Sequence, residues 1–310
     1  MQKFDNYNQI KALCSDCFDK MDKLIFEKLS QKNNGNELYK SDLCNYLLKS
    51  SKQIRSCLIF LFAKALNLNI DSEIIKLAAA VEIIHNATLI HDDIIDEATK
   101  RRGTTTLHLK YENKLAVISG DFLLTIALDM LVDLPPQIMK NFSSALQQLV
   151  QGEINQYFSK NKTPTISEYI KKSQSKTAAL FVTALKSLAD LKAQNNTKTM
   201  ENFANHFGIA FQIKDDIKNF ICNETQKPTF NDLEAGIYTA PVIYAFCENS
   251  DITELSTNEI LNKIQNSNAM NQTQNLLNTY LNQALADIDF VSENDYKQAI
   301  ICLCKMLESK

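Results

Sequence analysis

The sequence predicts an all-α fold, one domain over 1–310 built from about ten or more helices. Three observations predict it. Chain breakers are scarce, with 6 Gly and 5 Pro among 310 residues, against roughly 12 % for the two together in average proteins. Sheets joined by tight turns want those residues. Apolar residues also recur at helical spacing along the chain. Finally, 57–66 (CLIFLFAKAL) and 76–95 (KLAAAVEIIHNATLIHDDII) are apolar on most faces, as helices central in a bundle are.

The elements follow in order. Within 1–67, Leu24, Ile25 and Leu29, then Leu43, Leu47 and Leu48, mark two helices, and the polar run Lys32-Asn33-Asn34-Gly35-Asn36 separates them. The two apolar segments come next. Residues 97–114 are polar around Arg101-Arg102-Gly103 and predict a loop. An apolar helix over 115–133 stops at Pro135-Pro136, because the residue before a proline avoids helical backbone. Its apolar run, Phe122 to Val132, is broken by Thr125 and Asp129 and falls short of the ~18–20 residues of a spanning helix. A helix over 138–159 precedes a turn at Lys162-Thr163-Pro164-Thr165, with Ser167 as the expected cap of the next helix. Long helical segments cover 168–193 and 199–222. Residues 223–236 form a polar loop, and 240–309 is amphipathic helix.

Bulk properties exclude several classes. At 45 % hydrophobic and 22 % charged, the chain can bury a core. A net charge of −3 gives no electrostatic case for nucleic acid. The start, MQKFDNYNQIK, has no apolar signal region, so a cytoplasmic location is expected. The 8 cysteines are then expected as reduced thiols. Cys14 and Cys17 form a C-x-x-C, but no preceding strand or second pair accompanies them, which favours ordinary helix positions over a redox or zinc site.

Two acidic clusters carry the chemistry. The first is His91-Asp92-Asp93-Ile94-Ile95-Asp96. Asp92 and Asp96 share a helix face, and Thr88 and His85 lie on the same stripe. The second is Gln212-Ile213-Lys214-Asp215-Asp216-Ile217-Lys218-Asn219. A lone copy would read as a solvated helix end; two copies, each after strongly apolar helix, do not. Like charges on one stripe repel unless cations compensate them. Carboxylates with little His and no Cys nearby select hard, oxygen-bound ions, and Mg²⁺ commonly bridges one or two carboxylates to phosphates. A phosphorylated substrate held between acidic helices follows. Lys52, Arg55, Arg101, Arg102, Lys176 and Lys227 are the basic partners expected for its phosphate oxygens.

These residues bring the sequence to a known family. HDDIIDEATKRRG, with ATL before it, resembles the first aspartate-rich motif of trans-type isoprenyl (polyprenyl) diphosphate synthases of the long-chain type. Ser51-Lys52-Gln53-Ile54-Arg55 resembles their Gly-Gly-Lys-x-x-Arg-Pro segment. Ser119 to Leu124 and Gln151-Gly152-Glu153 resemble their middle helices, and Lys176 to Phe181 their Lys-Thr motif. Phe211 to Asp216 and Lys227-Pro228 to Pro241 resemble their second aspartate motif and following loop. The resemblance spans about residues 40–245 in ordered motifs, which together are far more specific than any one. The chain departs from it at Ser50-Ser51, Cys222, Gln226 and Phe230, where the family has glycines. It departs also at Ser56 (for Pro), Asn219 (for Asp) and Ile237 (for Lys).

The resemblance implies an isoprenoid-synthase-type helical bundle around a central cavity. It implies a prenyltransferase that condenses an allylic diphosphate, such as farnesyl or geranylgeranyl diphosphate, with isopentenyl diphosphate. Asp92, Asp96 and Asp215 would hold Mg²⁺, three ions bridging the acidic clusters and the diphosphate. Arg101, Lys176, Thr177, Gln212 and Lys227 would contact the allylic diphosphate; Lys52, Arg55, His85 and Arg102 would bind isopentenyl diphosphate. Catalysis would rest on Asp92, Asp93, Asp96, Arg101, Lys176, Asp215 and Asp216. Short-chain members close the product tunnel with aromatics four and five residues before the first Asp; here those positions are Thr88 and Ala87, with Ile84 one turn further in. Small side chains leave that path open, which implies a product of about C30 or longer. Such a product implies transient membrane contact on release, though no basic amphipathic anchor is evident. The family implies a homodimer. The alternatives are a weakly active subunit of a hetero-oligomeric synthase and a class I terpene cyclase, which needs no second diphosphate site.

Overall fold

A computed structural model describes residues 4, 6–32, 37–48, 51–221, 231–246 and 252–308. The chain divides into two compact units: 1–141, 184–195 and 292–300 make the first, and 142–183, 196–291 and 301–310 the second.

The first unit contains α1 (Tyr7–Ala12), α2 (Ser15–Lys32), α3 (Glu37–Leu48), α4 (Ile54–Ala65), α5 (Ser72–Ile95) and α6 (Leu107–Val132), with the start of α7 (Pro136–Phe158). α5 is its axis. Asp71 caps it by accepting from the Ile74 amide at 3.2 Å and also holds Lys192 at 2.5 Å. Ile74, Leu77, Ala78, Val81, Ile84 and Ala87 are all buried, at about 1.5–3 kcal/mol for each large aliphatic side chain. The near-complete apolar wrap seen in the sequence therefore has a neighbour on most sides. α6 packs along α5 closely enough that a methyl at Gly120 would run into the His91 ring.

Residues 97–114 are not one loop. Lys100–Arg101 and Thr104–Thr105 form an antiparallel hairpin, β1 and β2. Its central residues, Arg102 and Gly103, have φ of 51° and 80°. Positive φ at both positions is the turn whose twist suits a two-residue hairpin. α6 then begins at Leu107, ahead of the expected start; Glu112 (φ 69°) interrupts it and hid the first turns from a periodicity reading. By length and composition α5 and α6 are both apolar enough to cross a membrane, contrary to the run-length reading, which stopped at single polar residues. α5 is mostly buried within the protein, whereas α6 leaves Leu109, Val117, Ile118, Leu128 and Val132 exposed. Cys14 precedes α2 and Cys17 lies in it; both are buried thiols, and burial pushes Cys17 up to about 11.

The second unit contains most of α7, then α8 (Ile166–Ser173), a π-helical turn (Gln174–Ala178), the start of α9 (Ala179–Leu191), and α10 (Thr197–Lys218). α11 (Asn231–Glu234), α12 (Ala240–Phe246), α13 (Thr257–Gln265), α14 (Ala269–Asp287) and the end of α15 (Asp295–Glu308) complete it. Pro136 is the first residue of α7, where a missing N–H costs nothing. The cap of α8 is Thr165, not Ser167: Thr165 and Glu168 form a reciprocal capping box. The expected helical segment over 168–193 is continuous from Ile166 to Leu191 and carries the π turn within it. The core stacks Phe203 on Phe207 at 5.7 Å and sets Phe181 edge-on to Phe207 at 5.4 Å. A Cβ on Gly208 would lie 2.6 Å from Ala178 Cα, so only glycine lets α10 approach the π turn.

Candidate active site

In the first unit, α5 ends at Ile95 and Asp96 is its C-cap, its amide bonded to Asp92 O at 2.8 Å. Asp92 is half-buried and Asp96 exposed, one turn apart. Asp93 points elsewhere. It is buried, accepts from Tyr46 Oη at 2.8 Å, and receives Arg101 Nε and Nη2 at 2.8 and 2.5 Å. Asp93 thus aims Arg101 and braces the hairpin against α3, a positioning role, while Asp92 and Asp96 remain on the outer stripe.

A cluster of cationic side chains lies beside this stripe. Arg55 on α4 is buried, and burial lowers its pKa to about 10 despite the neighbouring Glu82. Glu82 accepts from Ser56 N at 3.2 Å and Ser56 Oγ at 2.9 Å. Arg102 donates to Tyr46 O at 3.2 Å and Asn86 Oδ1 at 3.3 Å; burial lowers its pKa as well. His85 is held well below its ordinary value by burial and then by Arg55, Arg102 and Arg101. A neutral imidazole among three guanidiniums makes a ready anion site. Lys52 is exposed just before α4; Gln53, at φ 53°, sets the turn between them and is fixed by Lys11 at 2.6 Å and Asp22 at 2.8 Å.

Further along the α5 stripe, Ile84 and Ala87 are buried and Thr88 is half-buried. Thr88 Oγ1 donates to His85 O at 2.8 Å, so its hydroxyl is turned back on the helix.

In the second unit, Lys176 and Thr177 sit in the π turn, a distortion that often marks functional positions. Thr177 Oγ1 donates to Gln212 Oε1 at 2.5 Å, and Gln212 Nε2 donates to Asp216 Oδ1 at 2.9 Å. Tyr169 Oη donates to Asp216 Oδ2 at 2.6 Å. Asp216 is therefore buried and doubly bonded, and burial raises its carboxyl to about 7. Asp215 is exposed next to it. Lys176 Nζ bonds Gln156 Oε1 at 3.1 Å and pairs with Glu153. Lys227, with Cys222, Gln226 and Phe230, lies outside the described residues.

Among the described residues, no three acidic, His or Cys side chains converge into a ready metal cage. The donors present, carboxylate pairs and singles near alkaline side chains, suit an ion that completes its shell with water and phosphate oxygens.

A family model described as polyprenyl synthetase matches residues 37–280. The chain belongs to the polyprenyl synthetase family. It is 34 % identical over 278 residues to a prenyl transferase of Cyanidium caldarium, covering 82 % of this chain and 84 % of that one. It is 31 % identical over 319 residues to an all-trans-nonaprenyl-diphosphate synthase (geranyl-diphosphate specific) of Rhodobacter capsulatus, covering 97 % of each. Its fold matches the crystal structure of a polyprenyl synthase from Caulobacter crescentus complexed with calcium and isoprenyl diphosphate, with a TM-score of 0.88 at 23 % identity, over 100 % of this chain and 99 % of that one.

For this polyprenyl synthetase, sequence reasoning missed the supporting side chains. Tyr46, Asn86, Glu82 and Tyr169 place the charged groups but belong to no spacing pattern. Only Tyr169 carried a signal, lying two helical turns before Lys176.

Proposed function

We propose that the chain elongates an allylic diphosphate with isopentenyl diphosphate, by trans head-to-tail condensations, to a long-chain polyprenyl diphosphate. One observation carries this reading: the first unit pairs a carboxylate stripe, Asp92 and Asp96, with a separate cluster of Arg55, Arg102 and neutral His85. A cyclase needs the first and not the second. Two diphosphate-bearing substrates need both.

In this reading Asp92, Asp96 and Asp215 hold Mg²⁺, which supplies charge stabilisation to the leaving diphosphate. Arg101, steadied by Asp93, and Lys176 donate to the same diphosphate as the allylic C–O bond breaks. Gln212, aligned by Thr177 and Asp216, presents a polar edge to it. Arg55, Arg102 and Lys52 hold the diphosphate of isopentenyl diphosphate, whose double bond attacks the allylic cation. The proton lost afterwards passes to the departing diphosphate, so no side-chain base is required. The apolar α5 excludes water from the cation.

The exposed apolar face of α6 supports assembly as a homodimer, since patches of this kind mark protein contacts. The purified chain with Mg²⁺, farnesyl diphosphate and isopentenyl diphosphate tests the reaction, with products read by mass. Elongation to long chains is expected. No elongation would favour a subunit that needs a partner, and loss of allylic substrate without isopentenyl diphosphate would favour a cyclase.

A further inference from the structure

Lys52 and Arg55 are three residues apart, yet they leave different kinds of backbone. Lys52 is exposed and precedes α4, whereas Arg55 is buried in its first turn. Gln53 lies between them with φ 53° and ψ 42°. That is left-handed backbone, where glycine is the default residue. The chain has Ser50 and Ser51 in place of glycines just upstream. A non-glycine residue keeps such a conformation only where its surroundings over-determine it.

Those surroundings come from the start of the chain. Gln53 is buried, and its side chain makes no capping bond to α4. It turns instead to α1 and α2, accepting from Lys11 Nζ at 2.6 Å and donating to Asp22 Oδ1 at 2.8 Å. Lys11 is itself set over the Phe18 ring at 4.5 Å, and Phe18 stands edge-on to Phe60 of α4 at 5.2 Å. Tyr7 precedes Lys11 by one helical turn, which puts both on one face of α1. Its hydroxyl donates to the Lys52 carbonyl. Ile10, fully buried, anchors α1 between them. On the other side, the Gln53 carbonyl accepts from Cys57 N at 2.9 Å. The peptide before Gln53, its side chain and the peptide after it are therefore all fixed. Tyr7, Lys11 and Asp22 lie ahead of residue 37, where the family match begins.

We propose that α1 is a positioning element for isopentenyl diphosphate. Tyr7 and Lys11 hold Gln53 left-handed, and that turn sets the Lys52 ammonium relative to the Arg55 guanidinium, so that both reach one diphosphate. Neither Tyr7, Lys11 nor Gln53 touches the substrate; each acts through the backbone of Lys52. The identity of the diphosphate rests on the proposed function. Lys52 needs this help more than Arg55, because an exposed lysine on a flexible stem is otherwise poorly directed.

The test titrates the full chain with isopentenyl diphosphate, without allylic substrate or divalent cation, so that no condensation occurs and the carboxylate stripe adds no affinity. Lys11→Met should weaken binding about tenfold, since a displaced cation loses its hydrogen bond to phosphate. Lys11→Arg, which keeps a charged donor, should recover most of it. Gln53→Ala should also weaken binding about tenfold, and Gln53→Gly less, because glycine takes left-handed backbone without its anchors. Tyr7→Phe removes one hydroxyl only and serves if the other variants do not fold. In steady-state kinetics the same variants should raise KM for isopentenyl diphosphate, with kcat and KM for the allylic diphosphate unchanged. A lower Tm with unchanged affinity and KM would assign α1 to stability alone and overturn the proposal. Elongation by the parent with parent-like isopentenyl KM in every variant would refute the positioning role and leave the reaction standing. Binding that depends on Lys11 and Gln53 in a chain that does not elongate would sink the reaction and leave the positioning role. A parent that binds no isopentenyl diphosphate would overturn both.

Discussion

Tyr169 donates its hydroxyl proton to Asp216 Oδ2 at 2.6 Å, while Asp215, one residue earlier, stays exposed on the same helix. The two aspartates of one motif thus have different tasks. Burial lifts Asp216 from the ordinary 3.8 to about 7, whereas the unfolded chain would release that proton near 4. Between those values the folded state binds more protons than the unfolded one, so stability falls as pH rises through the window. Asp216→Asn removes the titration. The stability difference between parent and variant, from urea unfolding without metal, should shift in favour of the variant between pH 4 and pH 7 and be flat above it.

Asp93 makes the same point on α5. Its carboxylate is buried and carries the Arg101 guanidinium and the Tyr46 hydroxyl. Asp93→Ala leaves a half-buried arginine uncompensated. We expect a loss of about 2–3 kcal/mol in denaturant unfolding, below the usual figure for a fully buried pair because Arg101 is partly exposed. KM for the allylic diphosphate should rise with it. Asp92→Ala should instead abolish turnover with a smaller stability change. Equal unfolding free energies for the two variants would refute the division of roles.

The helices and the charged residues were legible in the sequence because each has a local signature. α5 announces itself by its apolar residues, and Asp92 and Asp96 by their i, i+4 spacing. The division of labour within each Asp pair was not legible, because Tyr46 and Tyr169 reach Asp93 and Asp216 from 47 residues away in sequence. The π turn was likewise invisible: Gln174 to Ala178 has ordinary helical composition, and the fit against Gly208 gives it a neighbour. The hairpin at 100–105 was missed because its turn residue is Arg102, an unusual choice at φ 51°.

Gly208 gives a test of that turn. A methyl there meets Ala178 Cα at 2.6 Å and Ala178 Cβ at 2.7 Å, both on the segment that carries Lys176 and Thr177. Backbone cannot swing aside as a side chain can. Gly208→Ala should cost about 1–3 kcal/mol of stability, seen as a lower Tm, and should raise KM for the allylic diphosphate more than for isopentenyl diphosphate.

The exposed face of α6 makes a prediction about assembly. Ile118 and Leu128 are exposed on the outer face of a helix whose other side, Ala116, Leu123, Ala127 and Met130 among it, is buried in its unit. A charge placed at either has no effect on the unit's own core but opposes burial against a second copy. If the proposed homodimer forms through this face, Ile118→Glu should convert it to a monomer in sedimentation velocity while helicity stays unchanged; a parent chain that sediments as a monomer would remove the case for a homodimer.

In the proposed reaction, product length would turn on α5. Ala87 is fully buried, and the Thr88 hydroxyl is bonded back to His85 O, so neither offers a bulky or polar obstacle one turn below Asp92. A prenyl chain growing down this helix from Asp92 would pass them and reach Ile84 and Val81. Ala87→Phe adds a ring at a position with no exposed surface. Two effects then compete: overpacking lowers stability by about 1–3 kcal/mol, and the ring stops the growing chain. Mass analysis separates them. A shift of the product distribution toward shorter chains, with turnover per condensation retained, assigns Ala87 to the product path. Unchanged chain length with a lowered Tm assigns it to helix packing alone.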